Sequence, residues 1–261
     1  MMPTAVFDAL APAYDASFTE SVLGRILRRA VWQWLDRTFD PGELVLELSC
    51  GTGEDAVHLA ARGVGVLATD ASAAMVNRAR SKIEQARVGA SVTVRQLEIE
   101  RLTDLVTDGI GPLDGAFSSF GGLNCVADLP RVARSLAQLL KPRARTILCV
   151  MGPLVPWEWA WFLAHGQARK ALRRLARGGV PWRGTVVRYP SIRATRRAFA
   201  PQFTVRRTGG LGVLVPPTYA EGWARRHPRL VEMLDRSERR IESWPIVPWL
   251  GDHYLLELER R

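Results

Sequence analysis

The sequence at residues 44–55, LVLELSCGTGED, joins an apolar strand pattern to a glycine-spaced turn and then to two acids. Glycines after a first strand let the backbone approach a ligand closely, and the helix that follows offers its free N–H groups. A phosphate would be drawn to those N–H groups, but Glu54 and Asp55, together with Glu47 just before the turn, would repel it. The stretch therefore indicates a ligand that carries positive charge and no phosphate.

Strand-like apolar segments recur along the chain, and helical segments separate the first five of them. Strands are predicted over 45–50, 64–70, 91–98, 115–120, 145–151, 203–210 and 253–260, further regular framework over 186–190, and helices over 18–39, 55–63, 72–87 and 129–141. This alternation predicts an α/β fold, a doubly wound and mainly parallel seven-stranded sheet with an antiparallel last strand. Ligands of such sheets bind beyond the carboxyl ends of the strands.

The length of 261 residues, of which 47% are hydrophobic, predicts a single domain over 1–261 with a full core. Within it we expect three kinds of segment. They are N-terminal lid helices over about 5–39, a cofactor-binding core over about 40–151, and helical cap insertions over about 152–185 and 212–250.

The location predicted for this protein is cytoplasmic. The first residues include Asp8 and Asp15 and have no basic start, so a secretion signal is not expected. The longest charge-free runs are 13 residues, shorter than the ~20 that a spanning helix needs. Cys50, Cys125 and Cys149 are scattered without metal-type spacing, so we expect buried thiols and neither a disulfide framework nor a metal site.

The net charge of +10 is concentrated in one region, because the 12 basic residues between Glu158 and Glu221 are interrupted by no acid. If 154–177 forms one helix, an apolar stripe with Trp157 and Trp161 would lie opposite its cations. Such a helix suits either a lid with a solvated outer face or peripheral contact with an anionic membrane. Nucleic acid is the other partner that a basic run suggests, but the fourth strand lacks an Asn-Pro-Pro-Tyr type sequence for holding a flipped base.

Four motifs at the strand ends resemble those of the class I S-adenosylmethionine-dependent methyltransferases over roughly residues 7–151. ELSCGTGED resembles the first motif with serine in place of its first glycine, ATDAS the second, QLEIE the third and AFSSFGGLN the fourth. FDALAPAYD is similar to a segment that many members fold over the cofactor. The resemblance implies a Rossmann-like methyltransferase fold and S-adenosylmethionine as cofactor.

The resemblance also nominates the residues that bind the cofactor. Asp70 would accept the ribose hydroxyls, Glu98 would lie near the adenine amino group, and Ser118 would line the side of methyl transfer. The full predicted set is Tyr14, Glu47, Ser49, Gly51, Gly53, Asp70, Ala71, Met75, Leu97, Glu98 and Ser118. NAD is the alternative ligand, because Gly51, Gly53 and Ala56 also satisfy the dinucleotide pattern.

The predicted reaction moves a methyl group to O, N or C of a small-molecule acceptor, mainly by proximity and alignment. His165 and Tyr189 are the predicted catalytic residues if a base is used, and the aromatic residues of 157–162 would line the cap. The alternatives are a lipid or quinone-like acceptor at a membrane surface, nucleic acid, an NAD-binding oxidoreductase, and a binding protein without catalysis. The acceptor, the methylated atom and the oligomeric state do not follow from the sequence.

Overall fold

A computed structural model describes residues 5–261 and contains nine strands within that range. They are β1 Leu44–Leu48, β2 Gly65–Asp70, β3 Val92–Gln96, β4 Leu113–Ser118, β5 Leu140–Met151, β6 Val180–Trp182, β7 Thr185–Val187, β8 Phe203–Leu211 and β9 His253–Arg260. Seven of them form one sheet in the order β3-β2-β1-β4-β5-β9-β8, in which β9 runs antiparallel to both of its neighbours. The predicted mainly parallel sheet with an antiparallel last strand is confirmed.

The framework segment predicted at 186–190 overlaps β7, which pairs with β6 in a separate two-stranded ribbon. Arg183 and Gly184 connect these two strands, with φ angles of +48° and +91°. Two consecutive residues with positive φ match the twist of a tight hairpin. The segment therefore pairs locally and does not extend the main sheet.

Helices cover both faces of the sheet and also form the segments before and after the cofactor-binding core. They are α1 Ala5–Tyr14, α2 Val22–Thr38, α3 Glu54–Ala61, α4 Ala73–Gln85, α5 Thr103–Thr107, α6 Leu129–Leu139, α7 Pro156–Ala164, α8 Ala168–Ala171, α9 Ile192–Phe199, α10 Glu221–Arg226 and α11 Pro228–Ile241. Along β1, Val45 packs in the cluster that contains Trp34 of α2, while Leu46 packs in the cluster that contains Leu136 of α6. Successive side chains of a strand point to opposite faces, so one short strand contributes to both core layers.

Both caps begin at the carboxyl edge of the parallel strands. His253, at the start of β9, is the register partner of both Met151, which ends β5, and Leu211, which ends β8. The first cap segment therefore begins, and the second both begins and ends, at neighbouring points of the sheet. In the second cap, the fully buried carboxylate of Glu238 accepts hydrogen bonds from the backbone N–H groups of residues 212–215 at 2.7–2.9 Å. Four N–H donors satisfy this carboxylate and fix the start of the second cap.

The segment 154–177 is not one helix, which corrects the amphipathic stripe predicted for it. The helix α7 ends before Gly166, whose φ of +70° is typical of the residue that stops a helix, and α8 starts afresh at Ala168. Leu172 and Leu175 are consequently exposed, while Arg174, expected among the solvated cations, is buried. Its burial has a physical reason, since it pairs with two carboxylates described below.

Within residues 5–261, no helix is both long and apolar enough to cross a bilayer. Cys50 and Cys149 are buried, as predicted, whereas Cys125 is partly exposed. All three are free thiols.

Candidate functional site

The glycine turn after β1 places three residues in the left-handed backbone region. Ser49, Gly51 and Gly53 have φ angles of +57°, +55° and +80°. A Cβ on Gly53 would lie 3.0 Å from the Cβ of Ala79 in α4, so a larger residue would push α4 away from the turn. The turn therefore packs closely against α4, while its predicted close approach to a ligand stays a prediction.

Ser49 adopts a backbone conformation that glycine favours, and its surroundings compensate. Left-handed backbone costs a residue with a side chain about 1 kcal/mol. The space beside it is provided by Gly122, because a Cβ there would lie 2.5 Å from the Cβ of Ser49. The serine that stands in place of the motif's first glycine therefore leaves the turn intact.

Asp70 ends β2 and is held by two backbone donors. Its Oδ2 accepts from the N–H of Gly51 and its Oδ1 from the N–H of Ser72, both at 2.9 Å. Burial raises its pKa from 3.8 to about 6, although those same hydrogen bonds favour the ionised form. The carboxylate is thus oriented by the turn itself, and a ligand that donates hydrogen bonds would relieve the cost of its burial.

The N-terminal helix α1 closes over the turn from the outside. The Cε1 atom of Tyr14 lies 3.9 Å from where a Cβ on Gly51 would be. Asp8 holds the helix in place, since its Oδ1 accepts from the hydroxyl of Ser72 at 2.6 Å and from the N–H of Ala74 at 3.1 Å. The structure therefore brings Tyr14, the turn and the end of β2 together, as the lid prediction requires.

The two acids after the turn are paired with cations. Asp55 accepts from Arg28 at 2.6 Å and from the indole N–H of Trp32 at 2.7 Å. Glu54 pairs with Lys82 at 2.7 Å. Because both charges are neutralised by partners distant in sequence, they repel an incoming phosphate less than the sequence alone suggests.

Buried oxygens beside the turn provide the remaining negative and polar groups. Among the described side chains, Glu47 Oε2 and the hydroxyls of Ser118 and Ser119 have no hydrogen-bond partner although they are buried. Burial, reinforced by the nearby Asp55 carboxylate, raises the pKa of Glu47 well above its usual range. Buried polar groups are normally hydrogen-bonded, so these three atoms indicate where a polar ligand makes contact.

This set of groups fits S-adenosylmethionine. The paired donors on Asp70 leave its carboxylate able to accept from ribose hydroxyls, and Glu47 would face a cationic ligand near the glycine turn. Ser118 and Ser119, at the end of β4, would lie on the side of the reactive methyl group. The turn provides the close approach that the ligand needs.

The predicted contacts on the adenine side lie along the end of β3 and the start of α4. The N–H of Leu97 donates to the carbonyl of Asp70 at 2.9 Å, and the carbonyl of Ala71 accepts from the side chain of Gln96 at 3.1 Å. Met75 is buried in the first turn of α4, whereas Glu98 is partly exposed after β3. These residues adjoin Asp70, and their contact with a cofactor stays a prediction.

The two predicted catalytic residues have different surroundings. His165 is exposed at the end of α7, where its Nδ1 lies 2.7 Å from the carbonyl of Trp161 and its ring stacks on the indole. Tyr189 is half-buried, with the guanidinium of Arg174 5.0 Å from its ring centre. Only Tyr189 therefore lies among buried charged groups, and the catalytic role of both residues stays a prediction.

Sequence reasoning missed the pairing of Arg174 with two carboxylates. Glu158 of the first cap and Asp252 before β9 contact Arg174 Nη2 at 2.7 Å and 2.5 Å. Asn124 was missed too; it bonds through its side chain to the backbone of Met151 and to the carbonyl of Arg188. No local pattern reveals such partners, because they are 16 to 78 positions apart in the chain.

Comparison with known families and proteins agrees with the fold. The family described as "Methyltransferase domain" matches residues 45–143. A demethylmenaquinone methyltransferase of Mycobacterium sp. (strain KMS) is 30% identical over 175 residues, which are 66% of this chain and 69% of that protein. A 2-phytyl-1,4-naphtoquinone methyltransferase of Synechococcus elongatus is 34% identical over 152 residues, 56% of this chain, and the match spans only 62% of the relative's length.

Solved structures with the same fold are much less similar in sequence. The [4+2]-cyclase SpnF superposes with a TM-score of 0.63 at 15% identity, covering 99% of this chain and 95% of that one. The geranyl diphosphate C-methyltransferase from Streptomyces coelicolor A3(2), solved with S-adenosyl-L-homocysteine, gives 0.56 at 16% identity, covering 90% and 81%. At such identities these likenesses establish the fold alone.

Proposed function

We propose that this chain, which belongs to the class I S-adenosylmethionine-dependent methyltransferases, transfers a methyl group from S-adenosylmethionine to a small-molecule acceptor. The order of groups along the carboxyl edge of the sheet supports this. Asp70 ends β2, the glycine turn follows β1, Ser118 ends β4 and Met151 ends β5, in the spatial order of the strands. Bound cofactor supplies a methyl group activated by a positively charged sulfur.

The chain's own residues would do three things in this reaction. Asp70 and the glycine turn would fix the nucleoside, α1 would cover it with Tyr14, and the caps would exclude water over the ends of β4 and β5. Alignment and exclusion of water account for much of the rate in a displacement at an activated carbon.

The acceptor class that we propose to test first is a hydroquinone with an apolar side chain. The two relatives described above are named for naphthoquinone-type compounds. On this side of the sheet, Trp161 and Phe162 of the first cap lie 5.5 Å and 5.1 Å, between ring centres, from Tyr219 of the second cap. An aromatic surface of this kind suits a flat, largely apolar ring.

The proposal is tested with methyl-labelled S-adenosylmethionine and reduced 2-prenyl-1,4-naphthoquinone. We expect label to pass into the organic extract and the demethylated cofactor to accumulate. Reduced naphthoquinone without enzyme serves as the control. If the protein binds no S-adenosylmethionine by calorimetry, the proposed function is wrong; if it binds and methylates other extract components only, the acceptor class alone is wrong.

A further prediction concerns the aromatic cap. Replacing Trp161 with alanine should lower acceptor turnover by ~10-fold or more while changing S-adenosylmethionine affinity less than ~3-fold, because the ring lies in the cap and not at the glycine turn. Turnover measurements and calorimetry check both halves. Trp244→Ala, which truncates an indole that is 62% exposed, is the matched control. A parallel loss of cofactor affinity in Trp161→Ala would contradict the cap assignment.

Peripheral membrane contact through 154–177 and a cytoplasmic location stay predictions. The broken helix exposes Leu163, Leu172 and Leu175 close in sequence to Arg169 and Lys170, a combination that suits an anionic lipid surface. Sedimentation with anionic and with zwitterionic vesicles tests the contact, and equal recovery in the supernatant in both would remove it.

A further inference from the structure

A cluster of four buried titratable side chains joins the first cap to the start of β9. It consists of Glu158, Arg174, Asp252 and His253, which are 0%, 7%, 7% and 6% exposed. We call it the Arg174 cluster. None of these four side chains belongs to the cofactor side of the site described above.

Arg174 is the centre of the cluster and has its donors satisfied from both sides. Its Nε donates to Glu158 Oε2 at 2.8 Å, and its Nη2 donates to Asp252 Oδ1 at 2.5 Å. Its Nη1 donates to the carbonyls of Gly152 and Asp252, both at 3.2 Å. The guanidinium therefore ties the cap directly to the ends of β5 and β9.

Asp252 divides its two oxygens between two partners. One oxygen faces Arg174, and the other lies 3.1 Å from Nδ1 of His253, at ion-pair and not hydrogen-bond geometry. Burial acts to raise the pKa of Asp252, but the charge of Arg174 outweighs it, so the pKa lies well below its usual range. The carboxylate is therefore anionic beside the imidazole.

His253 occupies the carboxyl edge next to the strand ends of the methyl-transfer side. It is the register partner of Met151 at the end of β5, and β5 is itself the neighbour of β4, which ends at Ser118. Two strand spacings, about 10 Å, separate β9 from β4, and His253 lies three residues from Leu256, which is level with Ser118. The imidazole also meets the ring of Phe120, in the loop after Ser118, edge to face at 5.7 Å between ring centres.

We propose that His253 accepts the proton that the acceptor loses, and that Asp252, held by Arg174, positions its ring and balances the charge that forms. This inference rests on the proposed methyl transfer. The acceptor's O–H bond breaks, and the electron pair left on the acceptor, on oxygen or delocalised to a ring carbon, forms the new bond to the methyl carbon. The bond from that carbon to sulfur breaks with its pair remaining on sulfur, and the proton moves to Nε2 of neutral His253. Solvent then removes the proton.

The charges around the imidazole are compatible with this role. Asp252 lies just before β9, and Arg174 and Glu158 come from the first cap segment. Arg28 of α2 lies 5.0 Å from the ring centre of Phe120, and the phenols of Tyr189 and Tyr219 are close enough to Asp252 and Glu158 to be influenced by their charges. Only Asp252 is an anion in direct contact with the ring. The oxygen of Asp252 that does not contact Arg174 is available to balance the charge of an imidazolium at His253.

Turnover across the pH range gives the first test, with reduced 2-prenyl-1,4-naphthoquinone as acceptor. His253→Gln should lower kcat by ~10²–10³-fold, abolish the fall of kcat toward acid pH, and change S-adenosylmethionine affinity less than ~3-fold. His227→Gln, which alters an exposed histidine, is the matched control and should behave as wild type. An active wild type whose pH profile survives in His253→Gln would overturn the inference but not the proposed function, and a parallel loss of cofactor affinity would reduce His253 to a structural role.

The second test needs no acceptor. Nitrogen NMR of the imidazoles, assigned with His253→Gln since the chain has 4 histidines, should show neutral His253 with its proton on Nδ1. Asp252→Asn should shift the proton toward Nε2, because the negative charge of Asp252, 3.1 Å from Nδ1, favours a proton on that nitrogen and a neutral amide does not. Finding the proton on Nε2 in the wild type would overturn the inference, whatever the protein methylates.

Discussion

Replacing Asp70 with alanine is expected to weaken S-adenosylmethionine binding by at least ~100-fold. Hydrogen bonds to a charged group contribute about 1.5–3 kcal/mol each, and two lost ribose contacts amount to about 3 kcal/mol or more, which is that factor in affinity. The N–H groups of Gly51 and Ser72 would also lose their acceptor. Calorimetry with the product S-adenosylhomocysteine gives the affinity directly.

Asp114→Ala is the matched control for that measurement. Asp114 also accepts from a backbone N–H, that of Leu44 at 2.9 Å, but it lies at the amino end of β4. We expect its loss to change cofactor affinity less than ~3-fold. Similar losses in the two variants would show that Asp70 acts through folding and not through contact with the ligand.

The binding should also depend on pH in a defined direction. Burial raises the pKa of Asp70 from 3.8 to about 6 in the free protein, so the stability that its neutral form contributes is present below about pH 4 and lost as the pH rises through about 6. If the cofactor binds the ionised carboxylate, its affinity should rise as the pH rises through about 6. Binding near that pH should release the proton of Asp70. Calorimetry in buffers of different ionisation enthalpy counts that proton.

Replacing Arg174 with leucine is expected to cost about 3–5 kcal/mol of folding free energy, the range found when one partner of a buried ion pair is removed. Glu158 and Asp252 would then remain buried without their common cation. Chemical denaturation monitored by tryptophan fluorescence measures the loss. Arg236→Ala should change stability little, because its pair with Glu232 is exposed and 3.7 Å apart.

A double substitution separates charge from packing in the Arg174 cluster. Adding Glu158→Leu to Arg174→Leu removes one of the two buried carboxylates that lost Arg174, leaving Arg173 as the partner given up, so the double variant should recover part of the lost stability. If the two effects simply add, the cluster contributes through packing and the electrostatic account of it is wrong.

The positions of the residues proposed to bind the cofactor could be predicted from sequence because those residues follow the strands directly. Asp70 ends β2, and the glycines follow β1, so a pattern a few residues long identifies both. Even Ser49 has the positive φ angle expected of the glycine that it replaces in the motif. The pairing of Asp55 with Arg28 could not be foreseen, because it depends on how α2 lies against α3.

The caps were predicted only in outline, for a related reason. Helical periodicity continues across Gly166, but helix α7 ends before that residue. Arg174, which looks solvated in a linear pattern, is buried by partners 16 and 78 positions away. Arg174 meets Glu158 and Asp252 only after the first cap folds onto β9. Such long-range pairs are fixed by tertiary structure and leave no local signature.

The adjacency of Met151, Leu211 and His253 has a consequence for how this scaffold diversifies. The cap segments join the sheet on neighbouring strands about 5 Å apart. The entropic cost of closing a loop rises only slowly with the length of the loop. Segments of very different size can therefore be exchanged at these junctions without disturbing the half of the molecule that holds the nucleoside. Grafting the second cap of a relative between Leu211 and His253 is thus a direct route to a new acceptor specificity.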